Sequence, residues 1–269
     1  MDTVIYDKKD RIATITLNRP EAKNAVSPKM QEELSEVWKD FVSDDGMELA
    51  IITGAGDAFC AGTDLKESAP LMVKHNLADV RNRMADGIGG GITRGLHRQT
   101  KPIIAAVNGW ALAGGLEISL AADIRIASER AMFGSFETRR GFHHGDGGIP
   151  RLINSCGVSF AMEMLLTAEP VDAQRAMQVG LVSRVVPHEK LMETTLLVAR
   201  QILRNEQFAV RSAKQTILDM IGRPLDDQLR NELIAGYTCM TRPAEVNPRL
   251  DAFYKKTDAG RAGDNKTDL

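Results

Sequence analysis

The sequence predicts an α/β fold, and three features predict it. Short runs rich in β-branched residues recur up to Pro187, several of them closed by Gly or Asn-Gly. Amphipathic stretches of helical period separate them, giving an uneven repeat of strand, strand, helix. After Pro187 only helical periodicity remains.

Val4-Ile-Tyr6, the polar residues from Asp7 to Asp10 and Ile12-Ala-Thr-Ile-Thr-Leu17 read as a hairpin, which Asn18-Arg19-Pro20 ends. Ser27-Pro28 supplies an N-cap and a proline at the first helical position, where its missing N–H costs nothing. Met30, Leu34, Val37, Trp38 and Phe41 follow at helical spacing and give that helix an apolar face.

Glu48-Leu-Ala-Ile-Ile-Thr53 is a buried strand closed by Gly54-Ala-Gly56, and Lys101-Pro-Ile-Ile-Ala-Ala-Val107 with Asn108-Gly109 repeats that form. Asp123 to Ala127 and Leu181 to Val186 read as further strands of one or more stacked sheets. Between these, Asp86 to Gly95 carries five glycines where a helix is otherwise expected. Each costs about 1 kcal/mol relative to Ala inside a helix, so a mobile loop or a broken helix is expected there. The run lacks a Gly-x-x-x-x-Gly-Lys-Ser/Thr pattern and no strand precedes it, which argues against a phosphate cradle.

Beyond Pro187, helices are expected over Leu191 to Arg204, Ala209 to Ile221 and Leu225 to Tyr237, with Gly222-Arg-Pro224 breaking the last two apart. Their apolar stripes either pack on a core of their own or serve oligomer contacts. Thr257 to Leu269 is polar and expected to fray.

Composition limits the function. The 269 residues can bury a sizeable core, and 34 basic against 36 acidic residues leave no basic stripe, so neither nucleic acid nor a membrane is an expected partner. Cys60, Cys156 and Cys239 stand far apart without Cys-x-x-Cys or nearby histidines, which suggests neither disulfides nor zinc. No apolar run approaches the roughly 20 residues of a membrane span, and the N-terminus lacks a signal-peptide core. A cytoplasmic location is expected.

Two acidic residues twenty positions apart, Glu117 in Gly109-Trp-Ala-Leu-Ala-Gly-Gly-Leu-Glu and Glu137 in Phe133-Gly-Ser-Phe-Glu, lie in largely uncharged runs. Burying a carboxylate there costs free energy unless something requires it, so the pair suggests acid-base chemistry. Ala113-Gly114-Gly115 follows a strand and opens a helical segment, where unpaired N–H groups can bind an anion or a developing oxyanion. Close strand-to-helix packing asks for the same small residues. A second small-residue turn, Ala58-Phe-Cys-Ala-Gly-Thr63-Asp64, has the same setting. Cys60 and Cys156 have apolar or small neighbours and read as core.

Taken together, Ile15-Thr-Leu-Asn-Arg-Pro20 with Asn24-Ala25, Ala58 to Leu65, Lys101 to Gly109 running on to Ala113-Gly-Gly-Leu-Glu117, Phe133 to Glu137, and Ala173 to Val186 resemble the enoyl-CoA hydratase/isomerase (crotonase) family over nearly the whole chain. The resemblance implies a ββα spiral over 1–195 and a C-terminal helical region over 196–269 used in trimers, commonly paired into hexamers. It implies an acyl-CoA thioester substrate, with coenzyme A part of the substrate and no separate cofactor or metal. The thioester oxygen would be held by the backbone N–H groups of Thr63 and Gly114. Lys23, Ala25, Ala61, Asp64 and Lys66 would lie along the bound substrate, and Lys255 or Lys256 of a neighbouring copy would approach its nucleotide end. By resemblance Glu117 activates water and Glu137 gives a proton to the α-carbon.

Many isomerases of the family keep only the carboxylate matching Glu137, so Glu117 favours hydration. Dehydration of carnitinyl-CoA type, hydration of cyclic enoyl-CoA and a non-catalytic or RNA-binding relative are the other readings. The chain departs from the family after Glu137. Thr138-Arg-Arg-Gly-Phe-His-His-Gly-Asp-Gly-Gly148 lacks the usual proline, and Phe136 replaces a frequent proline. These positions flank the acyl pocket in the family, so a polar, cyclic or branched acyl group is expected. His143 and His144 are expected to be surface residues or supporting hydrogen-bonders.

Overall fold

The computed structural model describes residues 1–72, 78 and 87–264. Met1–Arg204 and Asn205–Leu269 form two compact units.

In the first unit, β1 (Val4–Lys9) and β2 (Ile12–Leu17) form the expected antiparallel hairpin. β2, β3 (Leu49–Gly54), β5 (Ile103–Val107), β7 (Ile124–Ser128) and β10 (Arg184–Val186) are then parallel neighbours, in the order β1-β2-β3-β5-β7-β10. A second sheet is built from β4 (Ala58–Cys60), β6 (Trp110–Leu112), β8 (Met132–Gly134) and β9 (Val171–Asp172), in that order. α1 (Pro28–Ser43) precedes β3; from β3 to β8 the chain alternates between the sheets, and α2 (Leu65–Met72) and α3 (Gly114–Ala121) fall after its visits to the second sheet at β4 and β6. This is the spiral the resemblance implies.

Both faces of the larger sheet are buried, as a parallel sheet requires. Ala50, Ile52, Ala105 and Val107 point into a core shared with Met30, Leu34, Val37, Trp38 and Phe41 of α1 and with Phe59, Ala111 and Phe133 of the second sheet. Their strand neighbours Leu49, Ile51, Ile104 and Ala106 point the other way, against Leu191, Val198 and Ala199 of α6 (Leu191–Leu203). Two periods meet here. Alternation along each strand divides the cores, and helical spacing fills them.

The expected cap is present: Ser27 accepts the Met30 N–H at 3.2 Å, ahead of Pro28. At the other end of α1 the buried Lys101 ammonium donates to the carbonyls of Phe41, Val42 and Asp44 at 2.8, 3.1 and 2.9 Å. A lysine from the next sheet turn thus closes the helix, where its charge also meets the negative end of the dipole.

The glycine cluster is neither a helix nor a loose loop over its described part, since Ile88 to Arg98 is a run of turns packed on α1. Trp38 Nε1 donates to the Gly89 carbonyl at 2.8 Å, and Gln31 brackets Gly87 O and Gly90 N at 2.9 and 3.0 Å. A Cβ on Gly90 would lie 2.4 Å from the Leu34 carbonyl carbon, so only glycine allows this approach. Asp86, the first residue of the expected loop, lies outside the described residues.

α4 (Gly148–Thr167) and α5 (Ala173–Gln178) complete the unit, with Asp172 capping α5 through the Arg175 N–H at 2.7 Å. The second unit is helical: α7 (Gln207–Met220), α8 (Leu225–Met240) and α9 (Pro243–Asp264). Helix α9 runs through Thr257 to Asp264, where fraying was expected, and 265–269 lie outside the described residues. No residue of α7 or α8 is buried, and Leu229, Leu233 and Tyr237 are 53%, 60% and 64% exposed. Among the described residues no helix is long and apolar enough to cross a membrane.

Candidate active site

Two turns meet at the edge of the second sheet. The first is fixed by the segment after β2. Arg19 Nη1 binds the Ala25 carbonyl at 2.7 Å and the Asp64 carboxylate at 3.0 Å, and the buried Asn24 amide donates to Ala55 O and Ala58 O at 2.8 and 2.7 Å. Val26 then bridges Thr63 as a short parallel pair, with Val26 N bonded to Gly62 O and Asp64 N to Val26 O. Asp64 opens α2, its Oδ1 accepting the Lys66 N–H at 3.1 Å.

The second turn leads from β6 into α3. Ala113 stands at φ 52°, ψ −123°, a sparsely populated region for a residue with a Cβ, costing on the order of 1–3 kcal/mol. That strain turns the chain so that Gly114 begins the helix. Gly115 lies against β4 so closely that a Cβ would sit 2.0 Å from the Cys60 carbonyl oxygen. A Cβ on Gly114 would lie 3.6 Å from Thr63 N, and neither the Thr63 nor the Gly114 N–H has an acceptor among the described residues. The two N–H groups named from sequence are therefore neighbours.

They open on a cavity of about 590 Å³. Ala25, Ala61, Thr63, Asp64, Lys66, Gly114, Glu117 and Glu137 all line it; Lys23 does not, and its carbonyl instead accepts the Ala61 N–H at 3.0 Å. Phe136, Arg140, Phe142 and His143 form the wall that departs from the family pattern. Lys255 is exposed on α9, and the side chain of Lys256 lies outside the described residues.

Both glutamates are 3% exposed. Glu117, in the first turn of α3, accepts the N–H groups of Asp146 and Gly148 on Oε1 at 2.8 and 3.0 Å, leaving Oε2 without a partner among the described residues. Glu137 follows β8, and its Oε2 accepts the Ser135 hydroxyl at 3.0 Å. Burial would raise the Glu137 pKa, but His144 and Ser135 outweigh it and hold the carboxyl below its usual range.

His144, expected at the surface or as a supporting hydrogen-bonder, stands instead between the two glutamates. It is buried, with Nδ1 2.8 Å from Glu137 Oε1 and 3.3 Å from Glu117 Oε1. Nδ1 approaches both oxygens at ion-pair distance but off the axis of a hydrogen bond, and Nε2 is buried without a partner among the described residues. Burial opposes its charge, yet the two carboxylates outweigh burial and push its pKa up to about 9. Next to it, burial and the Glu117 charge push the Asp146 carboxyl up to about 6, with Arg94 opposing at 3.4 Å. The absence of the usual proline and the presence of Gly148 were the available signals: a Cβ on Gly148 would lie 2.7 Å from His144 Cγ.

Glu117, Glu137 and His144 each offer one ligand atom, all within 4.8 Å of one another. A ligating imidazole normally has its other nitrogen braced by an acceptor, which His144 Nε2 lacks among the described residues, so the trio fits an ionic cluster better than a metal centre. Cys60 is buried core as expected, its thiol pushed up to about 12 by burial.

A family model described as enoyl-CoA hydratase/isomerase matches residues 7–258. The chain belongs to this family. Similar members include the short-chain-enoyl-CoA hydratase of Clostridium acetobutylicum, 37% identical over 257 residues and covering 95% of this chain and 96% of that protein. The 2,3-dehydroadipyl-CoA hydratase of Escherichia coli is 36% identical, covering 95% and 97%. Among solved structures, the enoyl-CoA hydratase from Bacillus anthracis superposes with a TM-score of 0.84 at 36% identity, covering 94% of this chain and 96% of that one. The enoyl-CoA hydratase/isomerase assignment thus agrees with the spiral, the paired turns and the two retained glutamates.

Proposed function

We propose that the protein is an enoyl-CoA hydratase, adding water reversibly across the 2,3 double bond of an enoyl-CoA thioester. One observation carries this: two buried carboxylates, Glu117 and Glu137, line the same cavity as the two unpartnered N–H groups of Thr63 and Gly114. The thioester oxygen accepts both N–H groups, which stabilise the negative charge that grows there as water attacks the β-carbon. Glu117, oriented through Oε1, takes the proton of the attacking water on Oε2. Glu137 delivers a proton to the α-carbon. Dehydration runs the same steps backwards.

In this reading Ala25, Ala61 and Lys66 border the coenzyme A part of the substrate, and Phe136, Phe142 and Arg140 its acyl part. Arg140 meets no carboxylate among the described residues, which supports an acyl group with a polar or anionic end. Coenzyme A enters as part of the substrate, without a separate cofactor or metal. The apolar surface of α7 and α8 supports assembly as a homotrimer or hexamer, and the protein is read as cytoplasmic, with no nucleic-acid or membrane partner. A panel of straight, branched, cyclic and ω-carboxylated 2-enoyl-CoA thioesters, followed by loss of the conjugated thioester absorbance, tests the reading. Turnover of at least one supports it; no turnover in either direction shifts the weight to the isomerase alternative.

A further inference from the structure

We propose that His144 couples the two glutamates, holding both carboxylates in place and returning the proton from Glu117 to Glu137 in each catalytic cycle. The inference rests on the hydratase reading of this cavity. It makes His144 a positioning residue that also carries a proton.

The geometry is that of a bridge. One nitrogen, Nδ1, lies within 3.3 Å of an oxygen of each glutamate, so a small tilt of the ring exchanges one partner for the other. The side chain is 1% exposed, which shuts bulk water out of this exchange. An imidazolium between the two carboxylates offsets the repulsion of their like charges. The raised pKa of His144 and the lowered pKa of Glu137 agree with that arrangement. Glu117 faces His144 from α3 and Glu137 from the turn after β8. Asp146 is the further carboxylate of the same loop, its carboxylate paired with Arg94 at 3.4 Å and its carbonyl bound by Arg151 at 3.1 Å.

Protons balance over one turnover. The imidazolium gives its Nδ1 proton to Glu137, which passes it to the α-carbon as the new C–H bond forms. Glu117 takes a proton from the water whose oxygen bonds to the β-carbon. A half-turn of the protonated Glu117 carboxyl group then brings its acidic oxygen to the position facing Nδ1 and returns that proton, restoring the imidazolium and both carboxylates. The net change is one water added to one double bond, with nothing oxidised or reduced. A hydratase without such a bridge must return the proton through water or substrate.

His144→Asn tests the relay, because its amide nitrogen stands near the Nδ1 position and still donates but cannot pass on a proton. With the best substrate of the panel, kcat is expected to fall at least about tenfold with KM within about twofold. Wild-type kcat is expected to fall as pH rises through about 9, and that alkaline limb is expected to vanish in the variant, which a purely packing role would not cause. A variant with wild-type kcat and an unchanged alkaline limb overturns the proposal. Independently of turnover, NMR titration of His144 in the unliganded protein is expected to give a midpoint well above 6.5, lowered in Glu137→Gln. A midpoint near 6.5 that Glu137→Gln does not move overturns the bridge even if Asn folds poorly. If the wild type turns over no enoyl thioester, the hydratase reading fails and the relay with it, while the titration still decides whether the ionic bridge exists.

Discussion

Gly148 donates its N–H to Glu117 Oε1 at 3.0 Å, so the carboxylate supplied by α3 is oriented by the first residue of α4. The Asp146 N–H completes the hold at 2.8 Å. Backbone donors cannot swing away as side chains can, and the unpartnered N–H groups at a helix N-terminus favour an anion. Glu117 is thereby preorganised before any substrate arrives.

The paired N–H groups can be tested by filling the space between them. Gly114→Ala should fold, because the added Cβ meets only the flexible Ile88 Cδ1 closely, at 2.7 Å. It also stands 3.6 Å from Thr63 N, in the place proposed for the thioester oxygen. We expect kcat/KM to fall by about 10² to 10³, with Tm little changed. Near-normal activity would place the oxygen elsewhere.

Lys101→Met should separate stability from chemistry. The substitution leaves the carbonyls of Phe41, Val42 and Asp44 without the ammonium they share, at a cost of about 2–4 kcal/mol. Lys101 does not line the cavity. Urea unfolding should show the loss while kcat below the melting range stays the same; an unchanged midpoint would refute the capping role.

Stability should decline toward alkaline pH. The raised His144 pKa means its contribution is full below about 6.5 and is lost as pH rises through about 9. Asp146 acts in the same sense, its contribution present below 3.8 and lost as pH rises through about 6. Glu137, with a lowered pKa, contributes above 4.5 and loses that on acidification. Urea midpoints should therefore fall between about pH 6.5 and 9, and His144→Asn should flatten that interval. A wild-type profile flat across it would contradict the cluster's charge state.

The helical unit predicts its own assembly. Leu229 and Leu233, one turn apart on α8, are both exposed, and changing them together to Glu should lower the mass measured by light scattering from trimer or hexamer toward monomer. A wild-type monomer would refute the assembly reading.

Much of this was legible in sequence because the signals were local. Ser27 and Pro28 announce α1, its apolar spacing names the residues that become buried, and the β-branched runs fall within a few residues of β2, β3, β5 and β7. The Glu117 and Glu137 positions were readable from their uncharged surroundings, and the resemblance supplied their partners. The short strands β4, β6 and β8 were not legible, since three residues carry no period. Gly87 to Gly91 suggested mobility because sequence cannot show that Gly90 lies on the Leu34 backbone. His144 was unreadable for the same reason: its burial and charge come from two glutamates that only the fold brings together.

If Glu117 and Glu137 act together on one thioester, kcat of Glu117→Gln and Glu137→Gln on the best substrate of the panel shows it. Each should lose at least about a hundredfold, as removal of a general acid or base does, while circular dichroism and Tm stay near wild type. A folded variant of either kind that retained near-full activity would contradict the two-carboxylate mechanism.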